Sequence, residues 1–256
     1  MAMKTVRPGD NGAVLQEAGK HFRRAKKAVA LTGAGISVAS GIPDFRSPGG
    51  LWSIYNPHEY CTLDAFHANP EKTWQLFSAL GGPLFDKKPN IAHQTLAELE
   101  AAGLLSAIVT QNIDCLHQKA GSRLVLEIHG DHFHLECLNC GYFGEAKQAD
   151  FAGPMPRCPR CGQPLKPSIV LFGERVRSLD KIEAVIAACD LLLVIGTSAK
   201  VYPAAALPAI VKQQGGRIYE FNLEPALPSI SDYCFQGDLS DTMPRFGQAV
   251  MAAVNS

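Results

Sequence analysis

Short apolar runs rich in β-branched residues recur along this chain, and stretches with helical spacing separate them. Ala28–Leu31, Ala107–Thr110, Leu124–Ile128, Ile169–Phe172, Leu191–Ile195 and Arg217–Phe221 read as buried strands. Val14, Ala18, Phe22 and Ala25 keep the spacing of one helix face. Phe66, Trp74 and Phe77 mark a small helical insertion over residues 62–80. Asn90 is placed to cap a helix carrying Leu96 and Leu99, and Gly103 stops it. Ser178–Ala188, Pro203–Gln213 (ended by Gly215 and Gly216) and Ser240–Val254 read as the remaining helices. Strand alternating with helix through both halves predicts an α/β fold built on a doubly wound, mostly parallel sheet.

The strand ends carry the polar chemistry. Ala107–Thr110 runs into Gln111, Asn112 and Asp114, and Leu124–Ile128 into His129 and Gly130. Ligands of open parallel sheets sit beyond the carboxyl ends of the strands, so an amide pair, a carboxylate and an imidazole share one mouth. Turn chemistry alone is the plainer account of the same residues. Thr32–Ser37, after the first strand, is a strand-to-helix turn of the kind that brings backbone N–H groups close to phosphate. It has Gly33 and Gly35, but Val38 takes the third glycine position of the dinucleotide fingerprint. Gly41–Trp52, dense in Gly and Pro, is a loop holding Asp44, Phe45 and Arg46 in succession. An active-site lid accounts for it, as does an ordered surface loop with Phe45 in the core.

Composition narrows the class. With 256 residues, 46% of them hydrophobic, the chain can bury a sizeable core, in one α/β domain with an insertion or in one large and one small domain. Lys+Arg and Asp+Glu are both 24, so no global charge steers it to nucleic acid or membrane. The basic run Lys20–Lys27 reads as the solvated face of the first helix. Met1–Asp10 lacks the apolar stretch of a signal peptide, and no apolar run approaches a bilayer span, so a soluble, cytoplasmic chain is expected. Between Gly130 and Ser168 the texture changes to short segments around Cys137-x2-Cys140 and Cys158-x2-Cys161, with seventeen residues between the pairs. That spacing fits two knuckles closing on one tetrahedral, structural zinc with no position left for substrate. His132 and His134 are expected in solvent or just outside the metal. Cys61, Cys115, Cys189 and Cys234 are expected as free thiols.

Taken in order, these pieces resemble the sirtuins, the NAD-dependent protein lysine deacylases. The match covers about residues 28 to 240 and rests on Gly33–Ser37, Gly41–Arg46, Thr110–Asp114, His129–Gly130, the four cysteines, Leu171–Glu174, Gly196–Ser198 and Asn222–Glu224. The resemblance implies a Rossmann-type NAD-binding domain from residues 1–44, 96–130 and 168–256. It also implies a cofactor loop and helical insertion over 45–95, and a zinc-ribbon module over 131–167. NAD and acyl-lysine peptides would be the partners, with one structural Zn2+ and no nucleic acid or membrane.

The resemblance also implies roles. Gly33, Ala34, Gly35 and Ser37 would take the pyrophosphate, with Asp44 in the adjoining loop and Arg46 adding a charge-assisted contact. Phe45 would close over the reacting ribose and keep water out. Asn112, Ile113 and Asp114 would bind the nicotinamide end, and Gln111 a ribose hydroxyl. Gly196, Thr197, Ser198, Asn222, Leu223 and Glu224 would hold the adenosine half, with Asp238 and Leu239 beside the adenine. In the family reaction the acyl oxygen displaces nicotinamide, and His129, with Asn112 beside it, would be the catalytic pair, His129 acting as general base on a ribose hydroxyl. Val170, Phe172, Gly173 and Glu174 would receive the substrate backbone by strand addition.

Two departures stand out. Cys115 follows the Asn-Ile-Asp element where many members have Gly, either as a small buried residue or as an oxidisable thiol. Phe77 and Leu80 stand where the desuccinylase branch has Tyr and Arg, which implies neutral acyl groups and acetyl foremost. A mono-ADP-ribosyltransferase using the same cleft is the nearest alternative. A redox enzyme and a non-catalytic NAD sensor rank lower.

Overall fold

The computed structural model describes residues 3–10 and 12–253. Its strands are β1 (Lys4–Val6), β2 (Ala28–Thr32), β3 (Ala107–Thr110), β4 (Val125–Glu127), β5 (Gly130–Glu136), β6 (Phe143–Glu145), β7 (Lys166–Ile169), β8 (Leu191–Ile195), β9 (Arg217–Asn222) and β10 (Tyr233–Gln236). Its helices are α1 (Ala13–Arg23), α2 (Pro57–Tyr60), α3 (Leu63–Ala68), α4 (Pro70–Leu84), α5 (Ile91–Ala101), α6 (Leu116–Lys119), α7 (Leu179–Ala187), α8 (Leu207–Gln213) and α9 (Leu239–Ala252).

Seven strands form one parallel sheet in the order β1-β10-β9-β8-β2-β3-β4. The chain moves outward from β2 through β3 to β4, and on the other side from β8 through β9 to β10. The order therefore reverses between β2 and β8, the switch point at which such sheets open a crevice. β2 and β8 are buried along their whole length, which is why they read as unbroken apolar runs. Thr32 pairs with both Ile195 and Thr110, and Thr110 pairs with Glu127, so four strands end level with one another.

Each sheet face has its own core. Phe22, Leu96, Leu99, Tyr219, Phe221 and Phe246 fill one side beneath α1, α5 and α9. Val29, Leu31, Ile182, Ile186 and Val211 fill the other beneath α7 and α8. A third cluster of Phe66, Trp74, Phe77, Phe151, Leu165 and Leu171 joins the helical insertion to the strands and loops around the four cysteines in one small module. There β6-β5-β7 form a three-stranded antiparallel sheet.

Several expectations need correction. The apolar run Ile169–Phe172 is not a strand of the parallel sheet: the strand is Lys166–Ile169, it pairs antiparallel with β5, and Ile169 and Leu171 pack into the small core. The strand-to-helix turn after β2 leads into a 3-10 helix over Ala34–Ser40. The Pro203–Gln213 helix begins with a 3-10 turn at Ala204–Ala206. The last helix begins at Leu239, and Val254, its expected end, lies outside the described residues. The boundaries expected at 95/96 and 167/168 fall inside α5 and β7.

Candidate active site and metal centre

The switch point brings the glycine turn after β2 against the turn after β8. The Gly33 N–H donates to the Ile195 carbonyl at 3.0 Å, and the Gly35 N–H to the Gly196 carbonyl at 2.9 Å. Gly196 has φ +58°, and a Cβ there would lie 2.5 Å from the Ile36 nitrogen. Close backbone packing thus already demands glycine here, and two amides expected to face phosphate are engaged within the protein.

Around this junction the strand-end residues form one hydrogen-bonded group. The Ser37 hydroxyl donates to Asp114 Oδ2 at 2.6 Å, and the Leu116 N–H donates to Oδ1 at 2.9 Å. Burial pushes the Asp114 carboxyl above its usual range, while the Ser37 and Leu116 donors pull it back. The Asn112 amide donates to the Gly33 carbonyl at 3.2 Å and to Ser37 Oγ at 3.1 Å. Gln111 Nε2 donates to Thr197 Oγ1 at 2.9 Å, and Asn222 Nδ2 to the Thr197 carbonyl at 3.2 Å. Ile113 turns toward the small-module core.

His129 follows β4 and is half-buried. Its Nδ1 lies 3.0 Å from the Gln111 carbonyl. A carbonyl only accepts, so Nδ1 carries the proton and Nε2 is left as the proton acceptor. Burial lowers the His129 pKa, and the bond to Gln111 partly opposes that.

The sequence reading missed the layer beneath. Thr32 Oγ1 donates to Thr110 Oγ1 at 2.8 Å, and the Asn112 N–H donates to the same oxygen at 3.0 Å. His117 Nε2 lies 2.9 Å from Thr32 Oγ1. With the Thr32 proton used on Thr110, His117 must be the donor. Burial holds His117 at about 3 and its neighbour His93 at about 4, so both stay neutral. The available signal was a threonine ending each of two adjacent strands.

The loop after Gly41 is folded on itself. Asp44 Oδ1 accepts the N–H groups of Arg46 and Ser47 at 2.8 and 2.7 Å, and the Phe45 and Trp52 rings sit 4.9 Å apart. Phe45 is therefore half-buried against Trp52, not in the core, and the Arg46 side chain is exposed. At the other end of the mouth, Ser198, Leu223 and Glu224 are exposed, whereas the Leu239 side chain joins the main core.

The segment expected to receive a peptide is largely satisfied already. Phe172 donates its N–H to the Cys61 carbonyl and accepts the Leu63 N–H, both at 2.9 Å. The Val170 N–H goes to the His129 carbonyl, and Glu174 accepts the Leu171 N–H. Phe172 and Gly173 remain exposed at the turn. Phe77 is wholly buried against Trp74, with ring centroids 5.8 Å apart, while Leu80 is half-buried.

The four cysteines converge. The sulfurs of Cys137, Cys140, Cys158 and Cys161 all lie within 4.8 Å of one another, with 3.5 Å separating Cys137 from Cys161 and Cys140 from Cys158. A disulfide needs about 2.05 Å. Four thiolates at ~2.3 Å from one tetrahedral zinc stand about 3.8 Å apart, so the set fits that ion. Of the two places expected for His132, solvent is excluded: it is wholly buried with its ring edge-on to Phe151, and burial holds its pKa at about 3. His134 pairs with Asp131 at 2.8 Å.

Fold and site together define a Rossmann-type enzyme class, with a polar crevice at the switch point and a four-cysteine ribbon beside it. The model of the Sir2 family matches residues 33–203. An NAD-dependent protein deacylase of Pyrococcus furiosus is 40% identical over 245 residues, covering 93% of this chain and 98% of that protein. A solved Sir2 homolog–NAD complex is 39% identical with a TM-score of 0.90, covering 99% of this chain and 97% of that one. A Sir2–p53 peptide–NAD+ structure is 33% identical with a TM-score of 0.83, covering 93% and 98%. The chain belongs to the Sir2 family.

Proposed function

We infer that this chain removes acyl groups, acetyl foremost, from protein lysine side chains in an NAD-dependent reaction. Its relatives' names support deacylation and do not favour the ADP-ribosyltransferase alternative. One observation carries the reading. His129 stands at a strand end against Gln111, with Nδ1 protonated against its carbonyl and Nε2 free to take a proton. Pure NAD binding needs no such base.

Bound NAD supplies a glycosidic bond whose cleavage releases nicotinamide and provides the acceptor for the acyl group. The chain's residues then have distinct tasks. Asp114 and Asn112, held by Ser37, would bind the carboxamide end, and Gln111 a ribose hydroxyl. Gly33–Ser37 and Arg46 would meet the phosphates, although the Gly33 and Gly35 amides are already engaged. Thr197, Ser198, Asn222, Leu223 and Glu224 would line the adenosine end. Leu239 could contribute there only through its backbone, since its side chain is in the core. Phe45 would exclude water. His129 would take the ribose hydroxyl proton at Nε2. The turn at Phe172 and Gly173 would meet the peptide, and one Zn2+ on the four cysteines would hold the ribbon.

The reading includes a cytoplasmic location and no nucleic-acid or membrane partner. Among the described residues no helix is long and apolar enough to cross a membrane. Incubating the protein with an acetyl-lysine peptide, with and without NAD, tests the reading. The peptide should lose its acetyl group only with NAD, and an unchanged peptide would overturn it.

A further inference from the structure

Lys166, in β7, is wholly buried. An ammonium is stable in such a place only when its charge and protons are matched. Its Nζ lies 2.6 Å from Glu136 Oε1 and 3.1 Å from Glu174 Oε2. It donates to the Ile169 carbonyl at 2.6 Å, with the Pro167 carbonyl at 3.3 Å. The other oxygen of Glu136 meets Arg177 at 2.6 Å, so two cations and two carboxylates form a neutral cluster. Apolar side chains of similar size would fill the same space without desolvating any charge. Packing alone therefore gives no reason for a lysine here.

The cluster acts on a particular peptide group. The Ile169 carbonyl that accepts from Lys166 shares its amide with the Val170 N–H, and that N–H donates to the His129 carbonyl at 2.8 Å. A cation on the oxygen polarises the amide and strengthens its N–H as a donor. The following amide is held as well: the Leu171 N–H donates at 2.7 Å to the same Glu174 oxygen that faces Lys166. On the other side of His129 the Arg177 N–H donates to the Ile128 carbonyl at 3.0 Å. Gly130 leaves no slack, since a Cβ there would lie 2.0 Å from the Ser168 carbonyl oxygen.

We propose that Lys166 is a positioning residue for deacylation. Through the Ile169–Val170 peptide it fixes the backbone of His129, and through Glu174 it fixes the turn that meets the acyl-lysine peptide. The kinetic consequence rests on the deacylase reading, but the geometric one does not.

Two variants test it beside the parent protein. Lys166→Met keeps the length and removes the charge. Glu174→Gln keeps an oxygen for the Leu171 N–H but offers no charge to Lys166. In both, the Val170 and Leu171 amides should exchange hydrogen at least about tenfold faster, with core amides of β2 and β8 unchanged. kcat/KM for acyl peptide should fall by on the order of tenfold to a hundredfold, while the directly measured Kd for NAD stays the same. Lys166→Arg, which keeps the charge, should recover most of that loss. If Lys166→Met does not fold, Glu174→Gln decides by the same criteria. Parent-like exchange at Val170 and Leu171, or equal losses for peptide and NAD, would overturn the proposal. A parent protein without deacylase activity would overturn the functional reading instead and leave amide exchange to decide on Lys166.

Discussion

Ser37 and Asp114 are joined by a 2.6 Å hydrogen bond in which the hydroxyl donates to a buried carboxylate. It ties the glycine turn after β2 to the loop after β3, across 77 residues of sequence. Asp114→Asn would keep an oxygen for the Leu116 N–H but turn the group facing Ser37 from acceptor to donor. Hydrogen bonds to charged groups are worth about 1.5–3 kcal/mol, so the KM for NAD should rise roughly tenfold or more, with weaker inhibition by nicotinamide. Unchanged values for both would mean that the bond serves the fold alone.

His129→Ala should lower turnover on the order of 10²–10⁴-fold, the usual worth of a positioned base, while NAD and peptide still bind. The pH dependence follows in sign. The neutral imidazole is the base, and burial lowers its pKa, so the neutral form persists to lower pH than usual. The acid limb of kcat/KM should therefore have its midpoint below about 6.5. A midpoint above that value would contradict the geometry.

One zinc per chain is expected on Cys137, Cys140, Cys158 and Cys161. Cys158→Ala should unfold or aggregate the small module, because metal binding there is folding energy. Metal analysis and circular dichroism check this, and a soluble, active, zinc-free variant would contradict it.

Cys115 has φ +54°, in the left-handed region that favours glycine. Its sulfur contacts Glu127 Oε1 at 3.4 Å, and burial together with the Glu127 charge pushes the thiol well above its usual pKa. A thiol so protonated is a poor nucleophile, which favours the small-residue reading over the redox one. Cys115→Gly should stabilise the fold by up to about 1 kcal/mol with activity retained. A lower melting temperature in the variant would count against the strain.

Acyl choice turns on Phe77 and Leu80. Phe77 is wholly buried and Leu80 half-buried, and both side chains are apolar. Neither supplies a partner for an acyl carboxylate, and an unpaired buried charge costs several kcal/mol. Acetyl and butyryl lysine should exceed succinyl by at least about tenfold in kcat/KM on one peptide. Equal or better succinyl turnover would contradict this.

Legibility followed burial. β2, β3, β8 and most of β9 are covered on both faces, so their apolar runs announced them. β5 carries Asp131, His132 and His134 and pairs within a small module, so no apolar run marks it. β1 is buried only at Val6, so no apolar run marks it. Leu171 is apolar because it packs into the small core, which made its neighbourhood look like another central strand. The polar residues at the crevice were legible because they follow strands abruptly. Their supports were not, since Thr32 reaches Thr110 and His117 across 78 and 85 residues, and Lys166 meets Glu136 only once β5 and β7 have paired.

The central claim is that one cleft couples NAD cleavage to acyl transfer from lysine. Quantifying the products of a single reaction with NAD and an acetyl-lysine peptide by mass tests it most directly. Free nicotinamide, deacetylated peptide and O-acetyl-ADP-ribose should form in equal amounts. ADP-ribose attached to protein, or nicotinamide released without matching deacetylated peptide, would contradict it.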